Sequence, residues 1–184
     1  TGSQNSNFNY NIIYGNTYTN SQHKTIDALN GIAINAEYNY WGSNDGPSST
    51  ELSTGVSAPN YLALNAELDD DTIVIGGEVG VSLKFEANDG SELDDTVSNK
   101  AVSFSSTCGT VNPSATSIVD NEISTTYTGE SEGMETLAVY LNGVELSTIE
   151  FEVEEVPENT IFVDASKGSD TKGTGEITNP YASI

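Results

Sequence analysis

The stretch STIEFEVEEV, Ser147 to Val156, places Ile149, Phe151 and Val153 on one side of an extended chain and Glu150, Glu152 and Glu154 on the other. Such strict alternation is the pattern of a strand with one face buried and one in water, and it excludes a helix for the same residues. Immediately upstream, LAVYLNGVEL carries Leu137, Val139 and Leu141, then Asn142-Gly143, then Val144 and Leu146. An Asn-Gly pair between two apolar alternations predicts a hairpin closed by a two-residue turn. Val79, Val81, Leu83 and Phe85 alternate up to a turn at Asn88-Asp89-Gly90; Val102 and Phe104, and Ile123, Thr125 and Tyr127, do the same. Roughly seven short strands separated by turn residues predict an immunoglobulin-like β-sandwich.

Composition divides the chain of 184 residues into three. Residues 1–63 are rich in Asn and Tyr and poor in acids, with short β-rich pieces such as NFNYNIIYGN and GIAIN between polar residues. Tyr14-Gly15 and Trp41-Gly42 recur at an interval of 27, which suits a coil of a parallel β-helix plus a loop insertion, with stacked Asn side chains satisfying turn backbone. Residues 64–157 hold the alternating strands and most of the acids; residues 158–184 return to Asp, Ser, Gly and Thr. Periodicity and composition together predict an all-β chain: coils of a parallel β-helix in 1–63, an Ig-like sandwich in 64–157, and a polar segment in 158–184 that is a candidate strand donor to another copy. The chain opens TGSQNSNF, without an initiator Met or a secretory start, and reads as a piece of a longer polypeptide.

Five lysines, no arginine and 28 acids give a net charge of −23, which argues against nucleic acid as a partner. No apolar run approaches the ~18 residues that a membrane-spanning helix needs, so no membrane insertion by a helix of this segment is expected.

The segment AEYNYWGSNDGPSSTELSTGVSAPNYLAL resembles the closing segment of parallel β-helix regions in adhesin-like surface proteins of methanogenic archaea, through Asn39, Tyr40, Trp41, Gly42, Gly46, Pro47, Tyr61 and Leu62. The central segment is similar to bacterial Ig-like domains of the invasin/intimin type, through Val102, Phe104, Gly109, the Ile123–Tyr127 strand and the Leu137–Leu141 strand; it departs from that pattern at DNEIS. The tail resembles the opening of another parallel β-helix through Ile161, Val163, Asp164, Gly168, Ser169, Asp170, Asn179, Pro180 and Tyr181. The resemblance implies the C-terminal coils and cap of a right-handed parallel β-helix (1–63), an Ig-like sandwich (64–157), and a linker with the opening strand of a further β-helix (158–184), together an extracellular, cell-surface stalk module. Its partners would be other copies of itself, adjoining modules of the parent chain, or cell-surface glycans.

Candidate site residues fall into three groups. Tyr38, Tyr40 and Trp41 offer aromatic faces of the kind that stack on a saccharide, and the competing reading makes Trp41 a hydrophobic plug that ends the coils. Asp69, Asp70 and Asp71 at the junction with the sandwich, and Asp164 and Asp170 in the tail, are candidate Ca²⁺ ligands, although none has EF-hand spacing; the competing reading is solvated turns. Lys100 shares strand parity with Val102 and Phe104, and so is a candidate for an inward-facing cross-link, against the ordinary reading of a lysine that reaches water. The single His23, beside Lys24, has Asp27 and Glu37 as its nearest carboxylates in the first segment, and no second histidine exists to activate a nucleophile. No catalytic residue is assigned, and the chain reads as non-enzymatic. The runner-up is a carbohydrate-binding or polysaccharide-lyase-like β-helix with an accessory Ig-like domain. Cys108 has no positive neighbour in SSTCGT to activate it.

Overall fold

The computed structural model describes residues 5–16, 24–29, 32–70, 72–158 and 160–183, and every regular element among them is a β-strand. In the first segment three short strands, β1 (Asn5–Asn7), β2 (Ala33–Asn35) and β3 (Val56–Ser57), form a parallel sheet in the order β1-β2-β3. Asn5 pairs with Ala33, and Ile34 with Val56. Parallel bridges from Ile12 to Tyr40 and from Ile26 to Leu52 continue the stacking beyond the strands. The successive turns of chain therefore lie one above another in the same direction over these three strands.

The register of that stacking differs from the interval suggested by Tyr14-Gly15 and Trp41-Gly42. Asn7 lies against Asn35, the Tyr10 N–H donates to the Tyr38 carbonyl, and the Asn11 N–H donates to Asn39 Oδ1. Each pair is 28 apart, so the repeat is Asn-x-x-Tyr-Asn at 7–11 and again at 35–39. Tyr14 accordingly stacks over Gly42 and not over Trp41. A Cβ on Gly42 would sit 2.8 Å from Tyr14 Cβ, and its φ of 87° also favours glycine.

The next strands are β4 (Leu62–Leu68), β5 (Ile73–Val74), β6 (Glu78–Ala87), β7 (Ala101–Ser105), β8 (Gly109–Asn112), β9 (Ala115–Ser117), β10 (Glu122–Gly129), β11 (Gly133–Leu141) and β12 (Val144–Glu154). They make a four-stranded sheet, β4-β6-β10-β8, and a five-stranded sheet, β5-β12-β11-β7-β9. This is an Ig-like sandwich, with β5 pairing parallel to β12 and the other pairs antiparallel. Alternation decides the core. Val79, Val81, Leu83 and Phe85 of β6 and Ile123 and Tyr127 of β10 meet Leu137, Val139 and Leu141 of β11 and Phe151 and Val153 of β12. Each such side chain contributes roughly 1.5–3 kcal/mol through burial.

Asn142 and Gly143 both have positive φ, 53° and 78°, the requirement of a type I′ turn, so the predicted hairpin forms there. Val139 pairs with Ser147 but Tyr140 with Glu145, leaving Leu146 as the extra residue of a bulge. The bulge reverses parity, so Leu146 turns inward although it is out of phase with Phe151 and Val153, while Val144 stays 49% exposed. In the tail, the strand expected at Ile161–Asp164 is reduced to one parallel bridge between Val163 and Tyr181. The Asp164 carboxylate captures the Ser166 and Lys167 N–H groups and bends the chain away directly after it.

Candidate functional site

The aromatic residues singled out in the sequence lie at the joint between the first segment and the sandwich. Tyr10 and Tyr38 occupy the same position in successive turns and both adopt left-handed backbone, with φ of 60° and 53°. That conformation is uncommon for an aromatic residue. Their rings stack, with centroids 5.7 Å apart and planes 16° apart. The Tyr10 hydroxyl accepts from the Asp94 N–H at 3.2 Å, and the Tyr38 hydroxyl shares a hydrogen bond with Ser91 at 3.3 Å. Both rings thus reach the loop that follows β6.

Tyr14 and Tyr40 reach the hairpin of β11 and β12. The Tyr14 hydroxyl lies 2.8 Å from the Leu141 carbonyl and 3.2 Å from that of Val144, and the Tyr40 hydroxyl donates to Leu146 at 3.3 Å. Tyr40 is 3% exposed, belongs to the sandwich core, and meets Phe85 edge-to-face at 5.3 Å. Burial raises the pKa of both phenols, with Tyr14 adding to the effect on Tyr40, so both remain neutral donors at ordinary pH. Trp41 is 5% exposed and so is enclosed instead of lying open in a groove; its indole N–H has no acceptor among the described residues. Tyr40 and Trp41 therefore present no free ring to solvent, and Tyr38 is half-buried with one face against Tyr10.

Beneath the aromatic joint lies Asn39, fully buried at 0% exposure. Its Oδ1 accepts from the Asn11 N–H and side-chain amide, at 2.8 and 3.1 Å. Its Nδ2 donates to the carbonyls of Phe8 and Ala36, at 2.6 and 2.7 Å. One side chain thus satisfies backbone from two turns of the chain, the role that makes a buried amide tolerable. Downstream, Asn44 imitates a strand partner for β4: its Oδ1 accepts from the Leu64 N–H at 2.7 Å and its Nδ2 donates to the Leu64 carbonyl at 3.1 Å. That covers part of an otherwise open sheet edge.

The candidate cation ligands act mainly as loop acceptors. Asp70 accepts from the Thr72 N–H at 3.0 Å, and the Asp69 carboxylate lies over Gly80. Asp164 accepts from the Ser166 hydroxyl and the Ser166 and Lys167 N–H groups; these bonds hold its carboxyl below the usual range. Asp170 ties the Ala182 and Ser183 N–H groups and the Ser183 hydroxyl, with the same effect. Among the described residues no three Asp, Glu, His or Cys side chains converge in a way that could hold a metal ion. Asp71 and His23 lie outside the described residues. Lys100 is exposed, one residue before β7 and directly after Asn99 with its φ of 58°; it lines a crevice with Tyr10, Asn11 and Asn142 and does not enter the core.

One functional group went unnoticed in the sequence. Glu135 sits on the inward face of β11 in phase with Leu137 and Val139, and it is 0% exposed. Its Oε1 accepts from the Thr107 N–H at 2.6 Å and the Thr107 hydroxyl at 2.9 Å, and its Oε2 from the Cys108 N–H at 2.8 Å. The buried Tyr127 hydroxyl approaches the same carboxylate without a well-directed bond. Burial pushes the Glu135 pKa up, but these donors outweigh it and leave the group below its ordinary value. Burial first, and then the Glu135 charge, push the Tyr127 phenol upward. Glu135 anchors the β7–β8 loop; extending the Leu137–Leu141 alternation by two residues points to it.

No protein-family model and no curated protein matches the sequence. Solved structures do. The D0–D1 domain of intimin is similar at 19% identity and a TM-score of 0.36, covering 49% of this chain and 48% of that one. The intimin fragment solved in complex with the translocated intimin receptor's intimin-binding domain is 21% identical with a TM-score of 0.38, covering 62% and 39%. The Escherichia coli adhesin FdeC is 18% identical with a TM-score of 0.41, covering 60% and 37%. The likeness spans less than half the length of each of these chains. At these scores the functional reading rests on the geometry.

Proposed function

We propose that this chain is an extracellular, adhesin-like structural module of a cell-surface protein, in which an Ig-like sandwich spaces and orients the β-segments on either side of it. The observation that carries this reading is the aromatic joint. Tyr10, Tyr14, Tyr38 and Tyr40 all use their hydroxyls across the boundary, and Tyr40 shares the sandwich core. Residues spent in this way make a stiff joint. In this reading the parallel stack of β1, β2 and β3 is the last part of a β-helix, Trp41 closes it, and residues 158–184 open another. The acidic faces keep copies apart in solution, and the edge of β1, unpaired among the described residues, is where the terminal segment of another copy would add.

Antibodies raised against the whole chain test the location: labelling of intact cells is expected, and labelling only after permeabilisation would sink the proposal. Mass photometry tests the assembly, with a ladder of end-to-end multimers expected as concentration rises.

A further inference from the structure

The C-terminal segment meets the sandwich at a second joint built quite differently from the tyrosine one. Gly76 and Gly77, between β5 and β6, form the floor of a slot. A Cβ on Gly76 would lie 2.6 Å from Ile177 Cγ2, and one on Gly77 would lie 3.4 Å from Ile177 Cδ1. Ile177 occupies the space of the side chain missing at Gly76 and rests in van der Waals contact with Gly77, whose own nearest neighbour is the Val74 carbonyl. The slot is rigid, because the Gly76 N–H donates to Gly129 and the Gly77 N–H to Val74, both at 2.8 Å. Beside it, Lys167 Nζ stands 3.0 Å from Glu78 Oε2 at the start of β6. The Asp164 turn sets Lys167 on that side, and Asp70, Glu78 and Asp164 line the remaining crevice of about 700 Å³ between tail and sandwich.

The two contacts are unequal. The Lys167 and Glu78 side chains are 71% and 56% exposed, so water and salt screen them, and such pairs add little to stability. Ile177 instead removes apolar surface from water, which salt does not weaken.

We propose that Ile177 in the Gly76–Gly77 slot is a latch that fixes the orientation of residues 160–183 on the sandwich, with the Lys167–Glu78 pair guiding the approach and not holding it. The proposal rests on the spacer reading above and adds that the module passes orientation through its C-terminal end as well. It also makes this joint insensitive to ionic strength, although acidic groups surround it.

The test is a distance distribution by pulsed electron resonance on the whole chain, with nitroxides on Thr148→Cys and Lys172→Cys and with Cys108→Ser to remove the native thiol. A single narrow distribution is expected in the parent, unchanged from low salt to about 1 M salt, where the screening length falls to about 3 Å. Lys167→Gln should leave it narrow. Ile177→Ser should broaden it at least about twofold, with the thermal transition of the sandwich unmoved, because Ile177 lies outside its core. A broad distribution in the parent, broadening by salt or by Lys167→Gln, or a narrow one in Ile177→Ser would each overturn the latch. None of these outcomes bears on the surface labelling, so the spacer proposal stands or falls separately.

Discussion

Replacing Glu135 with Gln tests how the sandwich holds the loop between β7 and β8. The substitution keeps size and shape. Gln retains an oxygen for the Thr107 N–H and hydroxyl, now 2.6 and 2.9 Å from Oε1, but turns an NH2 group toward the Cys108 N–H that Oε2 accepts at 2.8 Å. One charge-assisted bond is lost and a donor is left facing a donor. Hydrogen bonds to charged groups are worth about 1.5–3 kcal/mol, so a loss of about 2–3 kcal/mol at neutral pH is expected. Urea unfolding followed by far-UV circular dichroism measures it. The pH dependence supplies a second check. Because the folded pKa of Glu135 is below its ordinary value, its stabilisation is complete above the unfolded carboxylate value of about 4.3 and is lost as pH falls through the folded one. The gap between parent and Glu135→Gln should therefore narrow in acid. The Tyr127 phenol, pushed upward by burial and by Glu135, stays uncharged through this range. A gap under about 0.5 kcal/mol at neutral pH, or one that holds constant into acid, would refute the anchoring role.

Three further substitutions bear on the joint and the hairpin. Tyr40→Phe should cost about 0.5–1.5 kcal/mol in urea unfolding, the bond to Leu146, whereas Tyr40→Ala should cost about 3–5 kcal/mol by opening a cavity against Phe85. Asn39→Ala should orphan the Asn11 N–H and the Phe8 and Ala36 carbonyls, destabilising the first segment by at least about 2 kcal/mol, read from Trp41 fluorescence. Gly143→Val should lower the melting temperature by several degrees through strain at φ 78°, while Asn142→Gly should lie within about 0.5 kcal/mol of the parent.

The sandwich was readable because its information is local. The period of two in β6, β10 and β12 and the Asn142-Gly143 turn fix face and connection without knowledge of the rest of the chain. The bulge at Leu146 was not readable, since both Val144 and Leu146 fit a simple alternation and only cross-strand pairing decides which turns inward. In the first segment the matching Tyr-Gly and Trp-Gly pairs were misleading by one residue. The physically relevant repeat is the one whose side chains touch, Asn11 on Asn39 and Tyr10 on Tyr38. The use of those tyrosines was hidden for a further reason: residue type gives no hint that an aromatic will take φ near 60°. The aspartates of the tail fit both a cation site and a solvated turn by sequence, because carboxylate clusters serve both purposes; at Asp164 and Asp170 backbone N–H groups reach the carboxylates, which residue type alone does not reveal.

The parallel pairing of β5 with β12, Ile73 against Val153 and Val74 against Glu154, has a mechanical consequence. The chain enters the sandwich through β4 and leaves it through β12, so once β4 has come away from β6, tension on the two ends slides β5 and β12 past each other along their own axes. Their hydrogen bonds, including the one from the Ile75 N–H to the Glu154 carbonyl at 3.0 Å, are then loaded side by side in shear and must fail together, whereas a hairpin pulled at its open end unzips one rung at a time.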